Sequence, residues 1–350
     1  MNIVDSGIVL EAAIRFNLNL PDDAHPNERI VVVLEGPPGL GKSQIMAQVA
    51  SRIREDYPEF QIADPFLPVA HDPAEIAGYP YRDGDTQMRC RPDWLPSDGM
   101  GMLPVEEVGQ AVFVQQAIIT PLIYDWTIGQ HRLGSKWTPV LATNRRQDKA
   151  GAGELITIIR NRVTTIVVEA SLDAFSGIAM ERGFDPSILA YIRWKAEQGE
   201  DALAEQAAVS DKAFRSPRSW EKTSQWLATN MPSHLMREAV AGTIGMATAQ
   251  EFVAWRERIW GKMPTAKQIA ADPESVDIRP DEPDLMFAIS ALLANTATVK
   301  TIDAYVTYLR RGGEVWLANF LSDIKRRGDA RLMRTKAWTQ WAIESQLDAA

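Results

Sequence analysis

The chain has 350 residues, of which 45% are apolar and 24% are charged, enough to fill and cover the cores of two or three globular domains. Its net charge of −9 argues against a protein that coats nucleic acid, although a local basic surface is compatible with that charge. The single cysteine, Cys90, cannot form an internal disulfide, and the four histidines lack the spacing of metal ligands.

We expect a cytoplasmic protein. No stretch approaches the roughly 18 to 20 apolar residues of a membrane span. The N-terminal segment MNIVDSGIVLEAAIRF also lacks the basic and apolar regions of a signal peptide.

In chain order, the first informative stretch is VVVLEGPPGLGKSQ, residues 31–44. Ile30 to Leu34 form a short apolar run, typical of a central parallel strand covered on both faces. The following GPPGLGKS matches G-x-x-x-x-G-K-[ST], and QIMAQVASRIRE continues with helical spacing. Strand, loop and helix in this order predict a phosphate-binding loop (P-loop), and the alternative is an ordinary glycine-rich turn.

The chemistry of such a loop explains its residue types. Backbone N–H groups at a helix N-terminus surround phosphate oxygens, Lys42 supplies a cation at the β- and γ-phosphates, and the Ser43 hydroxyl can ligate Mg²⁺. We therefore assign nucleotide binding to Gly36, Pro37, Pro38, Gly39, Leu40, Gly41, Lys42, Ser43 and Gln44.

Further apolar runs, AVFVQQAII, WTPVLATN and VTTIVVEA, alternate with turn-rich or helical segments up to about Ser171, which predicts an α/β layer. From Leu172 to Ala350 the patterns are helical, for example Trp316, Phe320 and Ile324 at four-residue spacing. A turn-rich segment with four prolines, GKMPTAKQIAADPESVDIRPDEPD, is expected to link two helical parts.

A P-loop needs partners before it can hydrolyse ATP, namely carboxylates that hold the Mg²⁺ shell and activate the attacking water. Glu106 and Glu107 in GMGMLPVEEVGQ end an apolar stretch about sixty residues past the P-loop. Asn144 in VLATNRR lies at a predicted strand end, where its amide could orient water beside the γ-phosphate. The alternative for the two glutamates is a solvated pair in a loop.

With these parts, the chain resembles the AAA+ ATPases of the MoxR group, in particular the single-module bacterial and phage members of the dynein-related subfamily. GPPGLGKS is similar to Walker A, HDPAEIAGYP to the family's segment after the second strand, MLPVEEV to Walker B and LATNR to sensor 1. IIRNRV resembles the box that carries the arginine finger, and SPRSWEK resembles the sensor 2 motif of the helical lid.

The resemblance implies an α/β fold. A P-loop NTPase core of the AAA+ type, with an αβα arrangement and a parallel sheet, would span residues 1–171, followed by a helical lid at 172–258 and a C-terminal helical extension at 259–350. It also implies the cofactors ATP and Mg²⁺, a hexameric ring, and a protein partner such as one with a von Willebrand factor A domain.

Carried over by position, the resemblance implies five site residues beyond the P-loop. Glu107 would polarise the attacking water, Asn144 would be sensor 1 and Arg218 would be sensor 2. Arg162 would be the finger that reaches a neighbouring subunit's γ-phosphate, with Arg160 as second choice, because a permanently charged planar fork neutralises charge in the transition state. For Arg160 and Arg162 the alternative is surface solvation or a structural ion pair. For Arg218, which follows a proline near a predicted helix start, the alternative is a capping-region salt bridge.

Walker B departs from the family pattern. Pro104 lies within the strand, and Glu106 stands where the family has the aspartate that supports Mg²⁺. A proline cannot donate a ladder hydrogen bond, and a longer carboxylate shifts the water shell of the metal. We therefore expect nucleotide binding with slow hydrolysis.

Three functions remain open at this point: a ring ATPase that remodels or assembles a partner protein, a nucleotide-gated scaffold with slow or no hydrolysis, and a DNA-directed motor. The motor is suggested by basic residues near Trp316 and Trp338, namely Arg310, Arg311, Lys325, Arg326, Arg327, Arg331, Arg334 and Lys336.

Overall fold

The computed structural model describes residues 1–145, 148, 153–205 and 212–347. Within them the chain forms two compact units. The first is Met1–Ala170, and the second contains Ser171–Glu205 and the described residues from Lys212 onward.

The first unit is built on a five-stranded parallel sheet with the strand order β2-β5-β8-β1-β9. Its strands are β1 (Val32–Glu35), β2 (Gln61–Ile62), β5 (Met100–Val105), β8 (Lys136–Thr143) and β9 (Thr164–Val167). Two hairpins pair β3 (Pro80–Asp83) with β4 (Thr86–Arg89) and β6 (Thr127–Ile128) with β7 (His131–Arg132). Because β8 lies between β1 and β5, the end of β8 is next to the ends of both of these strands.

The P-loop strand is central, as the sequence predicts. β1 pairs with β8 on one side and β9 on the other, with Val33 opposite both Leu141 and Thr165. Val32, Val33 and Leu34 are at most 1% exposed, as expected for a strand covered on both faces. The strand begins two residues later than the apolar run at Ile30 and ends at Glu35, beside the P-loop.

The helices of the first unit are α1 (Ile3–Asn19), α2 (Lys42–Ile53), α3 (Pro73–Ala77), α4 (Phe113–Tyr124) and α5 (Thr157–Arg160). α1 packs against α2 and β8. Asn17 of α1 accepts a hydrogen bond from Ile30 N (2.9 Å) and donates to Thr138 of β8 (3.2 Å). These bonds connect α1 to the sheet beside the P-loop strand.

One apolar run is a helix and not a strand. AVFVQQAII falls mostly within α4, which begins at Phe113. The Gln115 side chain accepts a hydrogen bond from Val112 N (2.9 Å), which is the contact of a capping box. Val112, Phe113 and Val114 are more than half exposed, so their apolar character does not reflect burial in a sheet.

Pro104 is compatible with the sheet. Its carbonyl accepts a hydrogen bond from Phe66 N (2.9 Å), so the side of the residue that lacks an N–H also faces β2. Pairing on that side is interrupted between Ala63, whose N–H donates to Met102, and Phe66. The missing donor of Pro104 lies where this interruption begins, on the side of β5 that pairs only with the two-residue strand β2.

The second unit is helical throughout its described residues, which confirms the expectation for the chain beyond Leu172 and, together with the parallel sheet, the predicted fold class. Its helices are α6 (Leu172–Glu181), α7 (Pro186–Glu197), α8 (Pro217–Leu227), α9 (Ser233–Ile244), α10 (Met246–Trp260), α11 (Ala266–Ala271), α12 (Pro283–Thr296), α13 (Ile302–Arg310), α14 (Glu314–Arg327) and α15 (Lys336–Leu347).

The core of this unit joins early and late helices. α7 packs against α12, and α6 packs against α14. Trp316, Phe320 and Ile324 of α14 are buried, at no more than 8% exposure. Arg193 of α7 forms a bidentate ion pair with Asp323 of α14, both bonds 2.6 Å, in a fully buried position. The division into a lid at 172–258 and an extension at 259–350 stays a prediction.

Among the described residues, no helix has the length and apolar composition to cross a membrane.

Candidate nucleotide-binding site

The predicted P-loop connects β1 to α2. Gly39 and Gly41 have φ angles of 80° and 89°, which side chains with a Cβ rarely adopt, so these two positions require glycine. Gly41 is the N-cap of α2, and no side chain of the described residues caps that helix. The first amides of α2 and the positive end of its dipole therefore suit an anion, as in other phosphate loops.

Lys42 is held by oxygen atoms at the edge of the sheet. Its ammonium donates to the carbonyl oxygens of Gly36 (2.6 Å) and Pro37 (2.9 Å) and to Oδ1 of Asn144 (3.0 Å). The third contact joins the P-loop to the end of β8, the neighbouring strand. Two residues that the sequence assigned to different motifs thus lie within hydrogen-bond distance.

The two glutamates follow β5. Glu107 is exposed and has a φ of 56°. Among the described residues other than glycine, only Glu107 and Trp126 have a positive φ. A non-glycine residue in this region costs on the order of 1–3 kcal/mol, and such residues are concentrated at functional sites. The backbone therefore holds Glu107 in a specific orientation after the strand.

Glu106 is half-buried, and its Oε1 is buried without a hydrogen bond from any described residue. Its backbone N–H donates to Phe66 O (2.8 Å), which fixes the residue beside the interruption in β2 pairing. A buried carboxylate oxygen without a donor is costly unless a ligand or a cation satisfies it. The Oε1 atom of Glu106 is thus available to a cation or to a hydrogen-bond donor of a ligand.

Of the two candidate fingers, Arg160 is the last residue of α5 and Arg162 follows that helix, and both are exposed. Arg160 lies 4.0 Å from Glu154 Oε2 and donates weakly to Thr157 Oγ1 (3.4 Å). Arg162 donates to Ile158 O (3.3 Å), and its guanidinium carbon lies 4.8 Å from the centre of the Tyr124 ring. No carboxylate of the described residues forms an ion pair with Arg162, so its charge is the less compensated of the two.

Arg218 lies in the second unit, in the first turn of α8. It lines a groove of about 710 Å³ between α8 and α9, together with Lys212, Lys222, Phe214 and Trp226. None of the three cations forms an ion pair with a carboxylate of the described residues. This does not support the alternative of a capping-region salt bridge for Arg218.

Sequence reasoning missed Thr143 and Gly109. Gly109 lies in the 3-10 turn Val108–Gln110, and its N–H donates to Thr143 Oγ1 (3.1 Å) in a buried position. Thr143 precedes Asn144 in the motif LATNR, which is the only sequence signal for it. The pairing between turn and strand is not visible in either segment alone. Tyr124 under Arg162 likewise has no sequence signal.

No protein-family model matches the chain, and no curated protein matches its sequence. Among solved structures, the chain is similar to a mutant of RuvB from Thermotoga maritima, with a TM-score of 0.35 and 15% identity over 86% of this chain and 87% of that one. It is also similar to a full-length MCM homolog from Methanopyrus kandleri, with a TM-score of 0.33 and 12% identity over 71% of this chain and 55% of that one. Identities and TM-scores this low assign neither a subfamily nor an activity.

Proposed function

We propose that the chain is an ATP-hydrolysing AAA+ ATPase of the MoxR type that acts as a ring and remodels or assembles a partner protein. The observation that carries the proposal is the hydrogen bond between Lys42 and Asn144, at the N-terminus of α2, which no side chain of the described residues caps. The strands β1, β8 and β5 are adjacent and parallel in the sheet. The P-loop follows β1, the amide of Asn144 follows β8, and the carboxylates of Glu106 and Glu107 follow β5.

Each residue has a role that its chemistry allows. The P-loop amides and Lys42 bind the phosphates, and Asn144 orients the attacking water next to the γ-phosphate. Glu107 accepts the proton of that water as the bond to phosphorus forms. Mg²⁺ bound near Ser43 and Glu106 would neutralise charge on the β- and γ-phosphates.

Arg162 supports the ring. A finger supplied by one subunit needs an exposed guanidinium that is not neutralised within its own chain. Arg162 meets both conditions better than Arg160, because Arg160 has Glu154 nearby. Ring formation would place the finger of one subunit at the nucleotide of the next, and hydrolysis would then drive movement of a partner, such as a protein with a von Willebrand factor A domain. Arg218 keeps its proposed role of sensor 2.

A scaffold with slow hydrolysis is the second candidate, and the departure at Walker B favours it. Glu106 stands in the place of an aspartate, and a longer carboxylate would shift the water shell of Mg²⁺.

The structure supports a DNA-directed motor less well than the two other candidates. Trp316 is buried, and much of the basic C-terminal segment is engaged within the second unit. Arg311 donates to Pro273 O and Val276 O, Arg327 to Ala294 O and Ala297 O, and Arg326 and Arg331 pair with aspartates.

Steady-state ATP turnover with a nucleotide-binding titration separates these candidates. A motor should turn over ATP, respond to its partner and lose turnover in Glu107→Gln with ATP binding retained. A scaffold should assemble on ATP without turnover. Failure of the wild-type protein to bind ATP would contradict both, and affinity for single-stranded DNA that falls steeply with salt would favour the motor on DNA.

A further inference from the structure

Thr143 lies where three parts of the candidate site meet. It is the last residue of β8, is 4% exposed and directly precedes Asn144. Its carbonyl oxygen accepts a hydrogen bond from Gly36 N (3.2 Å), the first residue of the P-loop. Its hydroxyl oxygen accepts one from Gly109 N (3.1 Å) and also donates to the carbonyl oxygen of Asn144 (3.2 Å).

The contact with Gly109 determines where Glu107 can lie. Glu107 is the N-cap of the 3-10 turn that contains Gly109, and its carbonyl accepts a hydrogen bond from Gln110 N (2.9 Å). Glu107 has a left-handed backbone conformation, so it has little freedom to move apart from the turn. Any shift of the turn relative to β8 therefore moves Glu107 relative to Asn144.

Gly109 is required for this approach. A Cβ on Gly109 would lie 2.3 Å from Thr143 Oγ1, a distance that no side chain tolerates. The opposite side of the turn is held as well, because Gly109 O accepts a hydrogen bond from Gly153 N (2.6 Å).

We propose that Thr143 is a positioning residue for ATP hydrolysis: its buried hydroxyl fixes the distance between Glu107 and Asn144, while its carbonyl oxygen, which accepts from Gly36 N, joins the end of β8 to the P-loop. The inference rests on the proposed ATPase function. The inference treats affinity for ATP and the rate of turnover as separate properties. Phosphate binding depends on the loop and on Lys42, whereas water activation depends on where Glu107 lies. Loss of the hydroxyl should thus affect turnover and not affinity for ATP.

The test compares Thr143→Val, which keeps the shape but removes the hydroxyl, with Thr143→Ser, which keeps the hydroxyl. Thr143→Val should lower kcat by about 10²-fold, the effect of a displacement near 1 Å in other enzymes, and leave the Kd for ATP close to that of the wild type. Thr143→Ser should recover most of kcat. Thr143→Ala removes the hydroxyl without a branched side chain and replaces Thr143→Val if that variant does not fold.

Thr138→Val is the matched control. Thr138 lies on the same strand, is 2% exposed and accepts a hydrogen bond from Asn17 (3.2 Å), but lies away from the turn and the P-loop. It should lower the melting temperature as Thr143→Val does and leave kcat unchanged.

Three results would overturn the inference: unchanged kcat in Thr143→Val, equal losses of kcat in Thr138→Val, or no recovery in Thr143→Ser. In each case the wild type still turns over ATP, so the proposed function stands. A wild-type protein without turnover would instead remove the proposed function and the inference together.

Discussion

Lys42 donates hydrogen bonds to three protein oxygens, so in the proposed site ATP would compete with them for the ammonium. The ammonium would exchange two carbonyl oxygens and an amide oxygen for phosphate oxygens of higher charge. This exchange would be favourable because hydrogen bonds between charged groups are about twice as strong as neutral ones. It would also release Asn144 for its proposed role of orienting water.

Lys42→Ala should therefore weaken ATP binding by at least about tenfold, since a hydrogen bond to a charged group contributes about 1.5–3 kcal/mol. Titration with a fluorescent ATP analogue measures the effect, and Lys267→Ala, an exposed lysine of the second unit, is the control. The melting temperature should stay near that of the wild type. Equal affinity in Lys42→Ala and wild type would mean that this loop is not the nucleotide site.

Glu106 gives a second prediction at this scale. Glu106→Asp should raise turnover and leave ATP affinity nearly unchanged, because the shorter carboxylate restores the family pattern for the Mg²⁺ shell while the P-loop still binds the phosphates. Glu106→Gln, which keeps the length and removes the charge, should lower turnover. A fall in turnover with Glu106→Asp would show that the site, including the buried Oε1, is adapted to the longer side chain.

The strand, loop and helix at residues 32–53 could be predicted because their signal is local: the glycine spacing, Lys42 and Ser43 lie within eight residues, between an apolar run and a helical pattern. Phosphate binding by this loop stays a prediction. Thr143 was not predictable in this way. Its partners Gly36 and Gly109 are distant in the sequence and meet only when β8 lies between β1 and β5.

At the scale of elements, the apolar run AVFVQQAII, which lies mostly in α4, shows where hydrophobic periodicity does not identify the type of element. Short apolar runs of four to eight residues do not distinguish a buried strand from a helix. Here Val112, Phe113 and Val114 are exposed, so the run carries no information about the sheet. The segment MGMLPV forms the sheet strand β5 instead. Pro104 argues against a central strand at this position, but the pairing with β2 is interrupted beside it.

The buried ion pair between α7 and α14 gives a prediction for the second unit. Asp323→Ala leaves Arg193 buried without its partner, which should cost about 3–5 kcal/mol and lower the melting temperature of this unit. Glu257→Ala is the control: Glu257 pairs with Arg237 at the surface, where such pairs contribute only about 0.2–1 kcal/mol. Thermal unfolding by circular dichroism measures both. Equal effects of the two substitutions would contradict the assigned importance of the buried pair.

At the scale of the whole molecule, the proposed ring predicts that hydrolysis needs residues from two neighbouring subunits. Arg162→Ala should bind ATP almost normally and lose most hydrolysis, since fingers contribute about 10³–10⁵ in rate in other P-loop proteins. Arg160→Ala should have a smaller effect.

Mixing Arg162→Ala subunits with Glu107→Gln subunits is the sharper measurement. Some interfaces then combine an intact finger with an intact carboxylate, so part of the turnover should return. No recovery at any mixing ratio would count against catalysis across a subunit interface.

Cys90 follows the hairpin strand β4 and is exposed, and it is the one cysteine of the sequence. A thiol-reactive fluorophore therefore attaches at a single position per chain. In an assembly formed with a slowly hydrolysed ATP analogue, each subunit would carry one dye, and the number of discrete photobleaching steps of one particle would equal its number of subunits. The natural sequence thus provides a stoichiometric tag without any substitution near the P-loop.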